Sequence, residues 1–158
     1  NGKPDGLWVY WYPNGQKREE GNPVSSDSSG LAFLNDGIWN YWHPNGQLKE
    51  TGNYINGEKD GQWVEWHSNG QTKLKESYKN NKKNGKWLLW YDNGQKKSEV
   101  NFRNGKPDGF SISWYDNGQK KEEGNNQDGN RSARWTYYNL DGSLDGTEDN
   151  NSSNKSFT

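Results

Sequence analysis

Three observations predict an all-β fold, an elongated single antiparallel sheet of about six serial β-hairpins. The first is a period. Asn-Gly recurs at Asn14-Gly15, Asn45-Gly46, Asn69-Gly70, Asn93-Gly94 and Asn117-Gly118, then as Asp141-Gly142, at spacings of 31, 24, 24, 24 and 24 residues. Self-similarity at a fixed period of this size marks a repeat architecture. The second is alternation: clusters of Trp, Tyr and β-branched residues stand between Asn-Gly and Asp-Gly dipeptides, as in strands joined by tight turns. The third is that every copy carries several Gly and Asn residues, which disfavour helix. A 24-residue copy holds two strands of about five or six residues and two turns. Each copy is then one hairpin, and six copies give up to about twelve strands.

The elements follow in order. Gln follows each Asn-Gly (Gln16, Gln47, Gln71, Gln95, Gln119), and a base stands two residues further on (Arg18, Lys49, Lys73, Lys97, Lys121). Three residues before each Asn is Trp11, Trp42, Trp66, Trp90 or Trp114, with Tyr138 in the last copy. Three before that is Trp8, Trp39, Trp63, Trp87, the exception Ser111, or Trp135. Asp5-Gly6, Asp36-Gly37, Asp60-Gly61, Asn84-Gly85 and Asp108-Gly109 read as a second turn ahead of each aromatic strand. The first interval is seven residues longer than the rest. Its Ser/Gly-rich segment Pro23–Asn35 reads as an exposed loop inserted between hairpins. The last copy keeps its aromatics but has Ser132-Ala133 where the others have the second dipeptide, as suits a terminal cap. The repeat domain spans 1–145, and the Asn/Ser-rich tail 146–158 reads as disordered. Asn1–Gly6 repeats Asn104–Gly109 residue for residue, so the chain opens within a repeat.

The turn type sets which side chains share a face. Pro13 and Pro44 precede Asn-Gly, which suits a type I turn followed by a left-handed Gly bulge. A two-residue type I′ turn is the competing reading. The bulged register sets Trp11 across from Lys17, with Leu7, Val9, Glu19 and Gly21 on its face. Trp8 then shares the other face with Tyr10, Tyr12, Arg18 and Glu20. The type I′ register exchanges the second strand's faces. In both, Trp8 and Trp11 point to opposite faces, because strand period is two. A single sheet has no second layer, so stacked aromatics and the stems of Lys and Arg must form the core.

Composition narrows the function classes. The chain has 158 residues with 20 Lys+Arg against 21 Asp+Glu, a net charge of -1. That lacks the basic footprint of a nucleic-acid binder. No apolar run is long enough for a transmembrane helix. Absence of Cys excludes disulfides, thiolate metal sites and thiol nucleophiles. Only 26% of residues are hydrophobic, but 15% are aromatic, including 10 Trp, which argues against wholesale disorder.

The unit Gly-x-Trp-x-x-Trp-Tyr-x-Asn-Gly-Gln-x-Lys-x-x-Gly-Asn-Tyr-x-Asn-Gly resembles the MORN repeat. It is most similar to the bacterial variant found in YwqK-type antitoxin-like proteins. Gly61–Asn84 and Gly85–Asp108 match well, and the resemblance covers about residues 1–145. It implies serial hairpins in a twisted sheet, with roles in protein–protein contact and scaffolding and with lipid binding often proposed. The antitoxin-like label implies a cognate toxin. The family brings no catalytic residue.

The residues themselves point the same way. His43 and His67 fill the slot of Tyr12, Tyr91 and Tyr115. They are two strand spacings apart, about 10 Å, too far for one metal ion. The doublets Glu19-Glu20 and Glu122-Glu123 point to opposite faces, so neither makes the carboxyl pair, about 5–5.5 Å apart, of a retaining glycosidase. One Asp per turn is too few oxygen ligands for calcium. No enzyme activity, cofactor or metal is expected. The row Trp11, Trp42, Trp66, Trp90 and Trp114 is the candidate binding site, either as inter-repeat packing or as an open aromatic platform. With rings about 10 Å apart, side chains such as Lys17, Leu48, Thr72 and Lys96 must fill the gaps. The leading expectation is a non-enzymatic scaffold that binds another protein or assembles with itself through sheet ends. A carbohydrate-binding module using the Trp row and an antitoxin-like inhibitor are the alternatives. Absence of Cys and Met favours a secreted or cell-surface setting over a cytoplasmic one.

Overall fold

The structure is a computed structural model that describes residues 6–25 and 32–150. Thirteen strands and no helix occur among the described residues, and every pairing described is antiparallel. The chain forms two compact units, Asn1–Lys82 and Lys83–Thr158. In the first, β1 (Trp8–Trp11), β2 (Lys17–Ser25), β3 (Phe33–Trp42), β4 (Leu48–Ile55), β5 (Glu58–Trp66) and β6 (Thr72–Lys79) lie side by side in chain order. The two-residue β7 (Lys82–Lys83) stands at the boundary. In the second unit β8 (Gly85–Trp90), β9 (Lys96–Arg103), β10 (Lys106–Trp114), β11 (Lys120–Gln127), β12 (Asn130–Tyr138) and β13 (Leu144–Asp149) do the same.

The Asn-Gly turns take the bulged form. At the first, the Gly15 N–H donates to Tyr12 O (2.9 Å) and the Tyr12 N–H to Gln16 O (2.8 Å). Gly15 sits at φ 83°, in the left-handed region that glycine enters without a Cβ penalty. The same pair of bonds recurs at His43, His67, Tyr91 and Tyr115. Trp11 therefore pairs with Lys17, Trp42 with Leu48, Trp66 with Thr72, Trp90 with Lys96 and Trp114 with Lys120.

The next pair inward differs from the expectation. Tyr10 pairs with Glu19, not Arg18, and Trp8 with Gly21. The recurring base is the extra residue of a second bulge, where two residues oppose one. Glu19 and Gly21 thus join the face of Trp8, and Glu20 joins that of Trp11. The shift recurs at Lys49, Lys73, Lys97 and Lys121.

The second dipeptides, ahead of the aromatic strands, are also not turns where the structure describes them, and Asp5 lies outside the described residues. Asp36-Gly37 lies inside β3, Asp60-Gly61 inside β5 and Asp108-Gly109 inside β10. They sit where register shifts, and their glycines have positive φ. The true reversals are Asn56-Gly57, Asn80-Asn81, Asn104-Gly105 and Asp128-Gly129, with positive φ at both corners, as type I′ requires. Asp36 Oδ1 accepts the Asn56 N–H at 3.0 Å, so the Asp braces the true turn from inside the preceding strand.

Two boundaries move as well. Pro23, Val24 and Ser25 continue β2 and pair with Asn35, Leu34 and Phe33 of β3. The flanks of the expected loop are therefore ladder, and residues 26–31 lie outside the described residues. Leu34 reaches the Asn56-Gly57 turn, and the Gly57 N–H donates to Asn35 O at 2.8 Å. The extension is held by a neighbouring hairpin. At the other end β13 runs to Asp149, so the tail expected from 146 begins inside a strand. Residues 151–158 lie outside the described residues.

Trp39, Trp63 and Trp135, at 4%, 1% and 4% exposure, are the buried apolar side chains among the described residues. Each lies flat on a glycine of the preceding strand. A Cβ built on Gly21, Gly52 or Gly124 would come within 2.0–2.4 Å of the indole of Trp39, Trp63 or Trp135, respectively. Trp63 is closed on its other sides by the edge of Tyr54 (4.8 Å, 79°) and by Lys59 Nζ, 3.7 Å from the ring centroid. Its Nε1–H donates to Asn53 O (3.1 Å), as that of Trp135 does to Asn125 O (2.9 Å). The Trp39 Nε1 is buried without a partner among the described residues, and burial of the three rings supplies the core that one layer otherwise lacks.

Candidate functional site

The face opposite those buried indoles carries the expected row, in each unit separately. Trp11 is 57% exposed, while Trp42 and Trp66 in the first unit and Trp90 and Trp114 in the second are half-buried. A cation stands beside two of these rings, whereas Leu48 and Thr72 are the residues paired with Trp42 and Trp66. Lys17, paired with Trp11, places Nζ 5.2 Å from the Trp42 centroid, and Lys96, paired with Trp90, places Nζ 5.7 Å from that of Trp114. Each is held by the Glu three residues on: Lys17 by Glu20 (2.6 Å) and Lys96 by Glu99 (3.2 Å). Lys120 is held by Glu123 in the same way (2.9 Å). That spacing works because the bulge between them turns residues i and i+3 to one face. Hydrogen bonds from Lys86 and Lys96 hold the Glu99 carboxyl below the usual range against the opposing effect of burial. The face thus sets Lys–Glu pairs among the half-open indoles at Lys17, Lys96 and Lys120.

One edge of each sheet is built from the Asn-Gly-Gln triplets. The Asn Oδ1 accepts the N–H of the Gln two residues on, from Gln16 (3.1 Å) to Gln119 (2.9 Å). The Asn Nδ2 donates to a carbonyl of the following turn: Asn14 to Pro44 O and Asn45 to Ser68 O at 2.8 Å in the first unit. In the second, Asn93 donates to Asp116 O (2.9 Å) and Asn117 to Leu140 O (2.8 Å). Within each unit the Gln side chain packs over the next glycine, where a Cβ on Gly46 would meet Gln16 Oε1 at 2.7 Å. Asp141, in the Asn slot of the last copy, keeps the local bond to the Ser143 N–H (2.9 Å) but has no amide to donate onward.

His43 does the work of a tyrosine. Tyr12, Tyr91 and Tyr115 donate their hydroxyls to the carbonyls of Trp42, Trp114 and Tyr138. His43 Nε2 contacts Trp66 O at 2.9 Å. A carbonyl only accepts, so the proton resides on Nε2. The acid doublets part as the strand pleat demands. Glu19 pairs with Arg18 and Glu20 with Lys17, while Glu122 pairs with Arg131 and Glu123 with Lys120. No group of three or more His, Asp or Glu placed to hold a metal ion occurs among the described residues, and no helix there is long and apolar enough to cross a membrane.

The family model of the MORN repeat variant matches residues 4–22, 35–56, 59–80 and 83–104, more than half of the chain. The chain belongs to that family. No curated protein matches the sequence. The four MORN segments end at residue 104, before Ser111, the residue standing where the MORN copies at Trp39, Trp63 and Trp87 carry tryptophan. The sequence shows that exception plainly. What it hides is the partner of the exception: Val100 in β9 pairs with Ser111, and Val100 takes the place that Gly52 and Gly124 hold beneath an indole.

Proposed function

We propose that this chain is a non-enzymatic repeat scaffold that binds another protein through the face bearing Trp11, Trp42, Trp66, Trp90 and Trp114. The observation that carries this reading is a row of half-open indoles, one per hairpin, with Lys–Glu pairs beside Trp42 and Trp114. Aromatic residues are enriched at protein interfaces and supply their energetic anchors. The flanking ion pairs set a polar rim rather than a catalytic centre. Membership of a repeat family whose units stack side by side supports the same reading. The setting we propose is secreted or cell-surface, where the absence of Cys and Met removes the side chains most open to oxidation.

The test is retention of a purified partner by the immobilised chain. Trp42→Ala and Trp90→Ala should each weaken retention about tenfold or more while circular dichroism and melting remain near wild type. Unchanged retention in both variants rejects the surface. Retention of a defined glycan in place of any protein favours the carbohydrate-binding alternative.

A further inference from the structure

On the core face of each aromatic strand two positions alternate with the exposed row. In β3 they hold Trp39 and Tyr41, whose rings stack at 6.3 Å and 27°. In β12 they hold Trp135 and Tyr137. In β10 both are serine, Ser111 and Ser113. The register shows that the positions correspond. Trp39 and Ser111 pair with Gly52 and Gly124, and Tyr41 and Ser113 pair with Glu50 and Glu122. A place that holds two rings in β3 and β12 holds two hydroxymethyl groups here.

The consequence is a pocket of ≈ 180 Å³ within the second unit. It is lined by Ser98, Ser111 and Ser113 and by the apolar residues Val100, Pro107 and Trp135. Trp135 is held in place: the Arg131 guanidinium lies 3.9 Å from its centroid, and Arg131 Nη2 donates to Glu122 Oε2 at 2.7 Å. Asn126 Nδ2 donates to Ser111 Oγ (2.6 Å), which fixes that hydroxyl. Glu122 Oε1 receives only a long contact from Ser113 Oγ (3.5 Å). A carboxylate has about four lone-pair sites, so Glu122 retains acceptor capacity toward a donor entering the pocket.

Size selects the class of ligand. Sites for drug-sized molecules occupy about 300–1,000 Å³, whereas a cavity of about 150 Å³ accepts a single benzene ring. We propose that the Ser111–Ser113 pocket is a binding site for one aromatic side chain bearing an N–H or O–H donor, tryptophan above all, supplied by a partner polypeptide. The ring enters the space that the two serines leave open beside Val100, Pro107 and Trp135, and its polar hydrogen meets Glu122. The assignment rests on the scaffold reading for the source of the ring. It concerns the opposite face from the Trp row, so the two surfaces can be tested apart.

The probe is N-acetyltryptophanamide, titrated into the full chain and followed by ¹H–¹⁵N NMR. Saturable shifts are expected at the amides of Ser111, Ser113 and Glu122, absent from the equivalent positions around Trp39. Val100→Gly with Ser111→Trp restores the glycine–indole pair seen at Gly52 and Trp63, and should weaken the probe about tenfold or more. Should that double variant fail to fold, Ser113→Tyr fills the other half of the pocket and should have the same effect. No saturable shift at those amides, or shifts that persist in the folded filled variant, overturns the proposal. So does a response to cellobiose without one to the indole probe. If the probe binds as expected but a purified partner is retained equally by the filled variant, the polypeptide source is wrong while the scaffold reading stands.

Discussion

Trp63 in the first unit and Ser111 in the second occupy the same step of the same repeat, yet they solve the packing differently. Trp63 rests on Gly52 and is 1% exposed, while Ser111 stands beside Val100 and is itself buried, at 5%. The large residue has moved from one strand to the other and shrunk. A single sheet has no opposing layer to absorb a mismatch, so each indole depends on what stands beneath it on the preceding strand. An indole laid over Val100 as Trp63 is laid over Gly52 would meet the valine side chain, and Ser111 stands there instead. The swap is locally coherent and leaves one pocket as its residue.

The comparison breaks most sharply at the indole. Trp63→Ala is expected to cost about 3–5 kcal/mol, whereas Ser111→Ala loses little more than the bond from Asn126, about 1 kcal/mol. Urea titrations of both variants check this, and equal costs would dissolve the contrast. Adding a methyl beneath the ring comes next. Gly52→Ala puts a Cβ 2.0 Å from Trp63 and should cost about 1–3 kcal/mol. Gly146→Ala, with nothing within 4 Å, should stay within about 0.5 kcal/mol of wild type. If the two alanines behaved alike, contact with the indole would not be what keeps Gly52 a glycine.

Smaller effects sharpen the picture. Asn45→Asp keeps the acceptor for the Gln47 N–H but removes the donor to Ser68 O, a loss of about 0.5–1.5 kcal/mol measurable by thermal melting. Ala133 holds φ 55° where earlier copies have glycine. Ala133→Gly should therefore raise the melting temperature, by a net gain of about 0.5 kcal/mol once the entropy of glycine is set against the relieved strain. The last effect is pH-dependent. Because the folded Glu99 pKa is depressed, its stabilisation is fully present above the unfolded value of ~4.3. It is lost as pH falls through the lower folded value. The stability gap between wild type and Glu99→Gln should close below about pH 4, and a gap that ignores pH would show that the Lys86–Glu99–Lys96 pairing contributes nothing.

The period, the hairpins, the bulged Asn-Gly turn and the pairing of Trp11 with Lys17 were legible in the sequence, because each depends on residues within one turn of the chain. The second bulge at Arg18 was not, and so the faces of Glu19 and Gly21 came out exchanged. A bulge is decided by the ladder the strand enters on both sides, and no dipeptide announces it. Asp36-Gly37 shows the same limit: a turn signature was spent inside β3 because the Asp side chain braces a turn that lies twenty residues further along the chain. The Trp row was visible as spacing, and its Lys fillers followed from that spacing. The pocket at Ser111 was not visible, since a missing indole becomes a cavity only when the neighbouring strand and its Arg131–Trp135 stack are in place.

The amide ladder along the Asn-Gly edge makes the repeat a unit of growth. Within each unit a copy passes one N–H to the copy that follows it, so duplicating a whole copy there leaves the balance of donors and acceptors untouched. An insertion next to that edge would strand one of each. The first interval shows where extra length goes. It is 31 residues instead of 24, yet Asn14 reaches Pro44 O at the same 2.8 Å that separates Asn45 from Ser68 O. The surplus has been exported to the far ends of β2 and β3. Inheritance can thus lengthen this array by copying and ornament it along one margin, while the other margin stays in step.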